Sequence, residues 1–341
     1  MSLKLTMASL FSAVIVFLSG FVSALAQAQV PVIRIDGSST VFPITEAMAE
    51  DFQTLKRGRV RVTVGVSGTG GGFKKFCRGE TDVQDASRPI QSNELDKCRS
   101  AKVQFVELPI AYDATAIVVS PKNTWLQAIT VPELKKIWEP AAQGKVLYWS
   151  DVNPAWPKEK LKLFGAGSDS GTFDYFTEAV VGKAKSSRGD YTASEDDNTL
   201  VTGVANDPSA LGYIPLAYAQ ENVGKIKIVP VVGGEKSPLK DTAVMPNRES
   251  VENGTYFPLS RPIFIYVNNA SLKRSEIVEF VEYYLKKAPQ IVPEVKYVPL
   301  PQSAYVKGAE HVKGRKLGTV FSGHSEIGLK IEDLMKREGA Q

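Results

Sequence analysis

Leu108–Ser120 reads LPIAYDATAIVVS, and Pro258–Asn269 reads PLSRPIFIYVNN. Both are long, extended and apolar, and a full set of strand and helix patterns lies between them. After the second come only two helical segments and short connections. A chain that leaves one unit along the first stretch and returns along the second makes two lobes joined by two strands. We therefore expect residues 29–114 plus 258–341 to form the first lobe and residues 115–257 an inserted second lobe. The competing arrangement places both stretches as ordinary strands of one larger sheet.

Working outward, the chain alternates strands with helices. VIRIDG ends a strand in glycine, PITEAMAEDFQTL carries apolar residues at helical spacing, VRVTVGVSG is a strand, and GFKKFCRG opens as a short helix. Such alternation predicts an α/β fold with a largely parallel sheet. The 341 residues are 43% hydrophobic and 23% charged, enough for a large core and one or two domains. The net charge of +4 is mild and dispersed, which argues against nucleic acid as a partner.

The first residues, MSLKLTMASLFSAVIVFLSGFVSALAQAQV, place Lys4 before an apolar run and small residues at Ala24, Ala26 and Ala28. That is the pattern of a secretory signal peptide over residues 1–28, cleaved near Ala26 or Ala28; an uncleaved anchor is the alternative. Export to the periplasm gives the two cysteines a role. In an oxidising compartment Cys77 and Cys98 pair as a structural disulfide. A metal or redox site is disfavoured, because no Cys-x-x-Cys exists and His311 and His324 lie far off in sequence.

Three turns rich in glycine and hydroxyls each follow a strand and open a helix: Asp36–Thr40, Ser67–Gly72 and Gly165–Thr172. The first N–H groups of a helix have no internal partner and sit at the positive end of its dipole. Glycine admits a ligand to the backbone, and serine and threonine add hydroxyl donors. One such turn is ordinarily an N-cap. Three at strand ends of an open α/β sheet face a common crevice and could cradle an oxyanion between lobes. No Walker loop is present, and GTGGGF fails the dinucleotide fingerprint at its last position. Ser170 lies in S-D-S-G-T, not G-x-S-x-G, and Ser67 in GVSGT lacks the final glycine, so a serine hydrolase has no nucleophile motif. The fixed positive charge that such a cradle wants is offered by Arg88 in QDASRPI. Pairing with Asp85 or Glu80 is the competing role for that arginine.

Together these residues resemble the periplasmic phosphate-binding proteins of phosphate ABC importers, the PstS type. IDGSSTVFPIT, VSGTGGGFKKF, ASRPI, GSDSGTFDYF, ALGYIPLAYAQ and LSRPIFIYVNN occur in the family's order across most of the mature chain. The resemblance implies a two-lobed type II solute-binding fold with a two-strand hinge. It implies a monomer that captures inorganic phosphate and delivers it to a permease in the inner membrane, without a cofactor, a metal or catalysis. It implies ligand donors at Ser39, Thr40 and the amide of Val41, at Ser67 with Gly68, and at Ser170, Gly171 and Thr172. The sequence departs from the family pattern in two places. Arg88 stands where the family has an aspartate, and Ala166 where it has an arginine. Asp169 is then the candidate acceptor for the phosphate proton. Such an acceptor would reject sulfate, which carries no proton at neutral pH. The alternatives are another tetrahedral oxyanion (sulfate, molybdate or tungstate) and an exported hydrolase or phosphatase.

Overall fold

The computed structural model describes residues 30–339. The signal-peptide expectation, with Ala26 and Ala28, lies outside the described residues. Among the described residues no helix is long and apolar enough to cross a membrane.

The central sheet is built from β1 (Val32–Gly37), β2 (Arg61–Val66), β3 (Val83–Ala86), β4 (Phe105–Val119), β5 (Lys162–Ala166), β6 (Thr192–Ser194), β7 (Ala210–Pro215), β8 (Lys227–Val229) and β9 (Ser260–Asn268). Their order is β2-β1-β3-β9-β4-β7-β5-β6, with β8 also on β4. A separate small sheet pairs Val231–Val232 with Ile129–Thr130 and Ala243–Val244.

β4 and β9 contain the two long apolar stretches. All fifteen residues of β4 and all nine of β9 are buried. They pair antiparallel from Phe105 with Asn268 to Ala114 with Ser260. Beyond Ala114, β4 changes partners: Thr115–Val119 pair with β7, and Ile117–Val119 also with β8. One strand therefore serves both halves of the molecule. The sheet is parallel on both wings (β2, β1, β3; and β7, β5, β6) and antiparallel in the middle. This corrects the expectation of a largely parallel sheet. A chain that crosses from one lobe and returns must run its two crossing strands in opposite directions.

Helices α1 (Phe42–Lys56) and α2 (Gly68–Phe76) follow β1 and β2 directly. Proline in the first turn suits α1, since that turn needs no N–H there. It buries Ile44, Thr45, Met48, Ala49 and Phe52, a 3.6-residue stripe, and stops at Arg57 in the left-handed region. Phe52 meets Phe280 of the long helix Ser275–Glu294 edge to face at 5.2 Å. α2 starts at Gly68, earlier than the sequence pattern suggested, because its glycines let it press onto β1. A Cβ on Gly72 would stand 2.6 Å from the Gly37 Cα and 2.2 Å from Gln84 Oε1, so no larger residue fits. The Cys77–Cys98 disulfide is present and ties the end of α2 to α3 (Ser92–Ser100). In the other half, α4 (Gly171–Val181) follows β5. Its Phe176 stacks on Tyr213 of β7 at 3.9 Å, which anchors the helix to the sheet.

Candidate functional site

The three hydroxyl-rich turns converge. The Thr40 and Thr172 hydroxyls share a hydrogen bond of 3.0 Å, joining the first turn to the third. Gly70 N–H donates to the Asp169 carbonyl at 2.8 Å, joining the second to the third. Ser67 N–H donates to the Gly37 carbonyl, joining the second to the first. Gly171 packs so closely that a Cβ there would stand 2.5 Å from both the Thr69 and Ser87 hydroxyls. Three helix starts from two halves of the molecule thus surround one small region.

Within it, the expected residues take different tasks. Ser39 and Thr40 are buried at the start of α1, and their carbonyls accept from Tyr218 and Tyr297. The Val41 amide closes a turn onto the Ser38 carbonyl. Ser67 bonds its hydroxyl to Asp36, which also pairs with Lys75 at 2.6 Å. Gly68 holds a positive φ of 73° beside the Asp169 carbonyl. Ser170 is the N-cap of α4: its hydroxyl accepts from Thr172 N–H at 3.1 Å. Thr172 turns its own hydroxyl inward.

Arg88 and Asp169 stand apart from the roles expected of them. The Arg88 guanidinium is fully buried, but its donors are engaged by protein. Nη1 and Nη2 donate to Glu94 at 2.8 and 2.9 Å, Nη1 also to the Pro89 carbonyl, and Nε to Asp174 at 2.6 Å. Burial opposes its charge, yet the two carboxylates outweigh burial and raise its pKa. The Asp169 carboxylate is 40% exposed and lies on Lys74 Nζ at 2.9 Å, at the rim rather than in the cluster.

The charge inside the cluster is Arg261, which the sequence reading passed over. It lies on β9 directly opposite Asp113 of β4. Nη2 donates to Thr172 Oγ1 at 2.7 Å and to Asp113 Oδ2 at 3.2 Å, and Nη1 to the Gly171 carbonyl at 2.8 Å. The Tyr175 ring lies 5.2 Å from the guanidinium. A signal was available. LPIAYDATAIVVS and PLSRPIFIYVNN each carry one charge in an apolar strand, and strands that pair bring such charges face to face.

Two carboxyls complete the region. Burial raises Asp113 to about 6, opposed by Arg261. Burial raises Asp197, the first residue of α5 (Asp197–Asn206), to about 7, opposed by the neighbouring Ser39 hydroxyl. Asp113 Oδ1, Thr115 Oγ1, Asp197 Oδ2 and Arg261 Nε are buried without a protein partner. Buried polar atoms are nearly always hydrogen-bonded, so these four retain the capacity to bond a small polar ligand. The group combines hydroxyl donors, a guanidinium and two buried carboxyls that accept a proton when ionised. It suits a small oxyanion that itself carries a proton. Among the described residues no group of three or more His, Cys, Asp or Glu is placed to hold a metal ion.

The raised carboxyls set a direction for pH. Between about pH 4, the ordinary aspartate range, and about 7, the folded state holds protons that the unfolded chain has lost. Stability therefore falls as pH climbs through that window and levels off above it. Asp197→Asn should make the decline shallower in urea midpoints taken from pH 4.5 to pH 8 (roughly one proton's share). Parallel curves for variant and wild type would refute the assignment.

Comparison with known proteins agrees with this architecture. A family model described as a PBP superfamily domain matches residues 22–287. Protein SphX of Synechococcus elongatus is 47% identical over 314 residues, 92% of this chain and 91% of that protein. The phosphate-binding protein PstS of Staphylococcus saprophyticus is 34% identical over 275 residues, covering 80% and 81%. A Clostridium perfringens chain assigned to a phosphate ABC transporter, and solved with bound phosphate, superposes with a TM-score of 0.66. It is 25% identical and covers 79% of this chain and 100% of its own. The fold is that of a type II periplasmic solute-binding protein. The chain belongs to the PstS-type phosphate-binding family.

Proposed function

We propose that this protein captures inorganic phosphate between two lobes and delivers it to an ABC importer from outside the inner membrane. The observation that carries the proposal is Arg261 on the crossing strand, reaching Thr172 of one half while Thr40 of the other faces the same hydroxyl. In this reading residues 29–114 and 258–341 form one lobe and 115–257 the other, a division supported by the change of partners after Ala114. Ser39, Thr40, Thr172 and Arg261 donate to the ligand. The helix starts at Val41, Gly68 and Ser170–Gly171 supply backbone dipole and close approach, and Ser67 braces the second turn. We set Arg88 and Asp169 outside the ligand set: Glu94 and Asp174 occupy all three nitrogens of Arg88, and Asp169 lies on Lys74 at the rim, whereas Arg261 keeps a buried Nε without a protein partner. Asp113 or Asp197 takes the role of proton acceptor.

Binding without turnover follows from this chemistry. The hydroxyls at the site are held by helix caps, an arginine and one another, and His311 pairs with Glu338 at 3.5 Å, remote from them in sequence. The protein works as an exported monomer. A buried carboxyl facing the ligand favours phosphate over sulfate, because sulfate offers only acceptors.

Isothermal titration should show one phosphate per chain, with sulfate weaker by at least roughly a hundredfold. Ser170→Ala with Thr172→Val removes two hydroxyls and keeps the α4 amides. It should weaken phosphate binding by about 1 kcal/mol or more through the lost Thr172 donor, with the lost Ser170 cap loosening the start of α4, and with no phosphoester turnover by either form. Equal binding of sulfate would point to the broader oxyanion class. Turnover by the wild type that the double variant loses would make the site catalytic and end the proposal.

A further inference from the structure

The arginine at position 88 lies in a buried ion cluster that joins the two halves of the molecule. Its own half orients it first. Glu94 accepts from both terminal nitrogens of Arg88 and also from Gln91 N–H at 2.9 Å, so the fork and the start of α3 are locked together. Arg88 and Glu94 are 0% and 8% exposed at their side chains. That pair is neutral and complete within the half carrying β1, β2 and β3.

The third member comes from the other half. Asp174 stands on α4, two residues past Thr172, and its Oδ2 accepts from Arg88 Nε at 2.6 Å. Its side chain is 2% exposed, and its Oδ1 has only the Lys185 ammonium, 3.8 Å away. Asp174 begins a run in which each residue fixes α4 to something different. Tyr175 donates to the Pro258 and Ser260 carbonyls at the crossing strand, and Phe176 stacks on Tyr213 of its own half. Asp174 is the member of this run that carries a charge of its own to the opposite half, and it does so in a buried site.

We propose that Arg88 is a positioning residue for ligand capture: through Asp174 it sets the seating of α4 when the halves close. This rests on the phosphate-capture reading of the same site. Moving the Asp174 carboxylate out of water costs several kcal/mol and is repaid only in good geometry with its partners present. The contact therefore adds little net drive to closure. It instead penalises closures in which α4 arrives in any other position, because each would bury an unpaired charge. The correct position brings Thr172 and the α4 amides onto the ligand held by α1.

The test uses the full mature chain labelled with one fluorophore on each lobe, with dissociation rate and inter-label distance as readouts. Asp174→Asn leaves the Arg88–Glu94 pair whole, so the ligand-free melting curve should stay within a degree or two of wild type. Phosphate should leave about tenfold faster or more, with little change in association rate. Arg88→Lys cannot serve both carboxylates and should show the same fast release. Combined, the two changes should be strongly non-additive, since they break one contact. Wild-type dissociation in Asp174→Asn would overturn the proposal. So would additive losses, which would make Arg88 a direct ligand contact. Failure of wild type to bind phosphate would instead sink the capture reading. The latch would then be judged on the ligand-free distance distribution, which Asp174→Asn should widen and which an unchanged distribution would refute.

Discussion

Arg261→Ala should lower phosphate affinity by roughly 30- to 4,000-fold, the range for breaking a buried charged pair. The guanidinium is 1% exposed and links β9 to β4 and to the first turn of α4. Alanine removes the cluster's cation and leaves Asp113 buried with no counter-charge. Part of the loss could then be structural, because an orphaned buried charge destabilises strongly. The pair Arg261→Met with Asp113→Asn separates the two effects. It removes both charges together and should keep the fold, as read by the unfolding midpoint, while phosphate binding remains lost. Arg261→Lys should also weaken binding, because an ammonium cannot reach Thr172, Gly171 and Asp113 as a planar fork does. If Arg261→Ala titrates like the wild type, the anion is not held at the crossing strands.

Removing the disulfide should produce the largest change in stability. The bond closes a loop of 21 positions between the end of α2 and α3. In the chain-entropy view it restrains the unfolded state by about 3 kcal/mol. Cys77 and Cys98 are 3% and 1% exposed, so the double alanine variant also loses some packing. Denaturant unfolding of that variant should show a loss of about 3 kcal/mol or slightly more, with phosphate affinity within about threefold of wild type. Two observations would count against this view: a loss under about 1 kcal/mol, or a collapse of binding in folded protein. The second would mean that the loop shapes Arg88 and Glu94 and not only the denatured chain.

Much of the architecture was legible in local pattern. The two apolar stretches announce strands buried on both faces, and β4 and β9 are those strands. The Gly, Ser and Thr turns announce helix starts, because a strand that ends in such residues must turn and cap the next helix. The cysteines announce their bond, since the chain has no other thiol with which to pair. These features depend on neighbours in sequence, or on partners too few to be mistaken. The parallel wings were legible as alternation, and the antiparallel centre only through the path, since a chain that leaves along one strand and returns along the other reverses direction.

The assignment of charge was a tertiary matter. Arg88 follows small residues in QDASRPI and reads as an anion receptor. Glu94, six positions on, and Asp174, on a distant helix, claim it first. Asp169 borders the third turn yet faces Lys74 at the rim. Arg261 hides in an apolar strand, and only its register opposite Asp113 places its fork on Thr172. A sequence specifies which groups are charged and which elements carry them. Whether a charge is free to meet a ligand depends on which hydrogen-bonding partners folding brings to its donors, because a buried charge is repaid for its lost water only by close contacts that satisfy it.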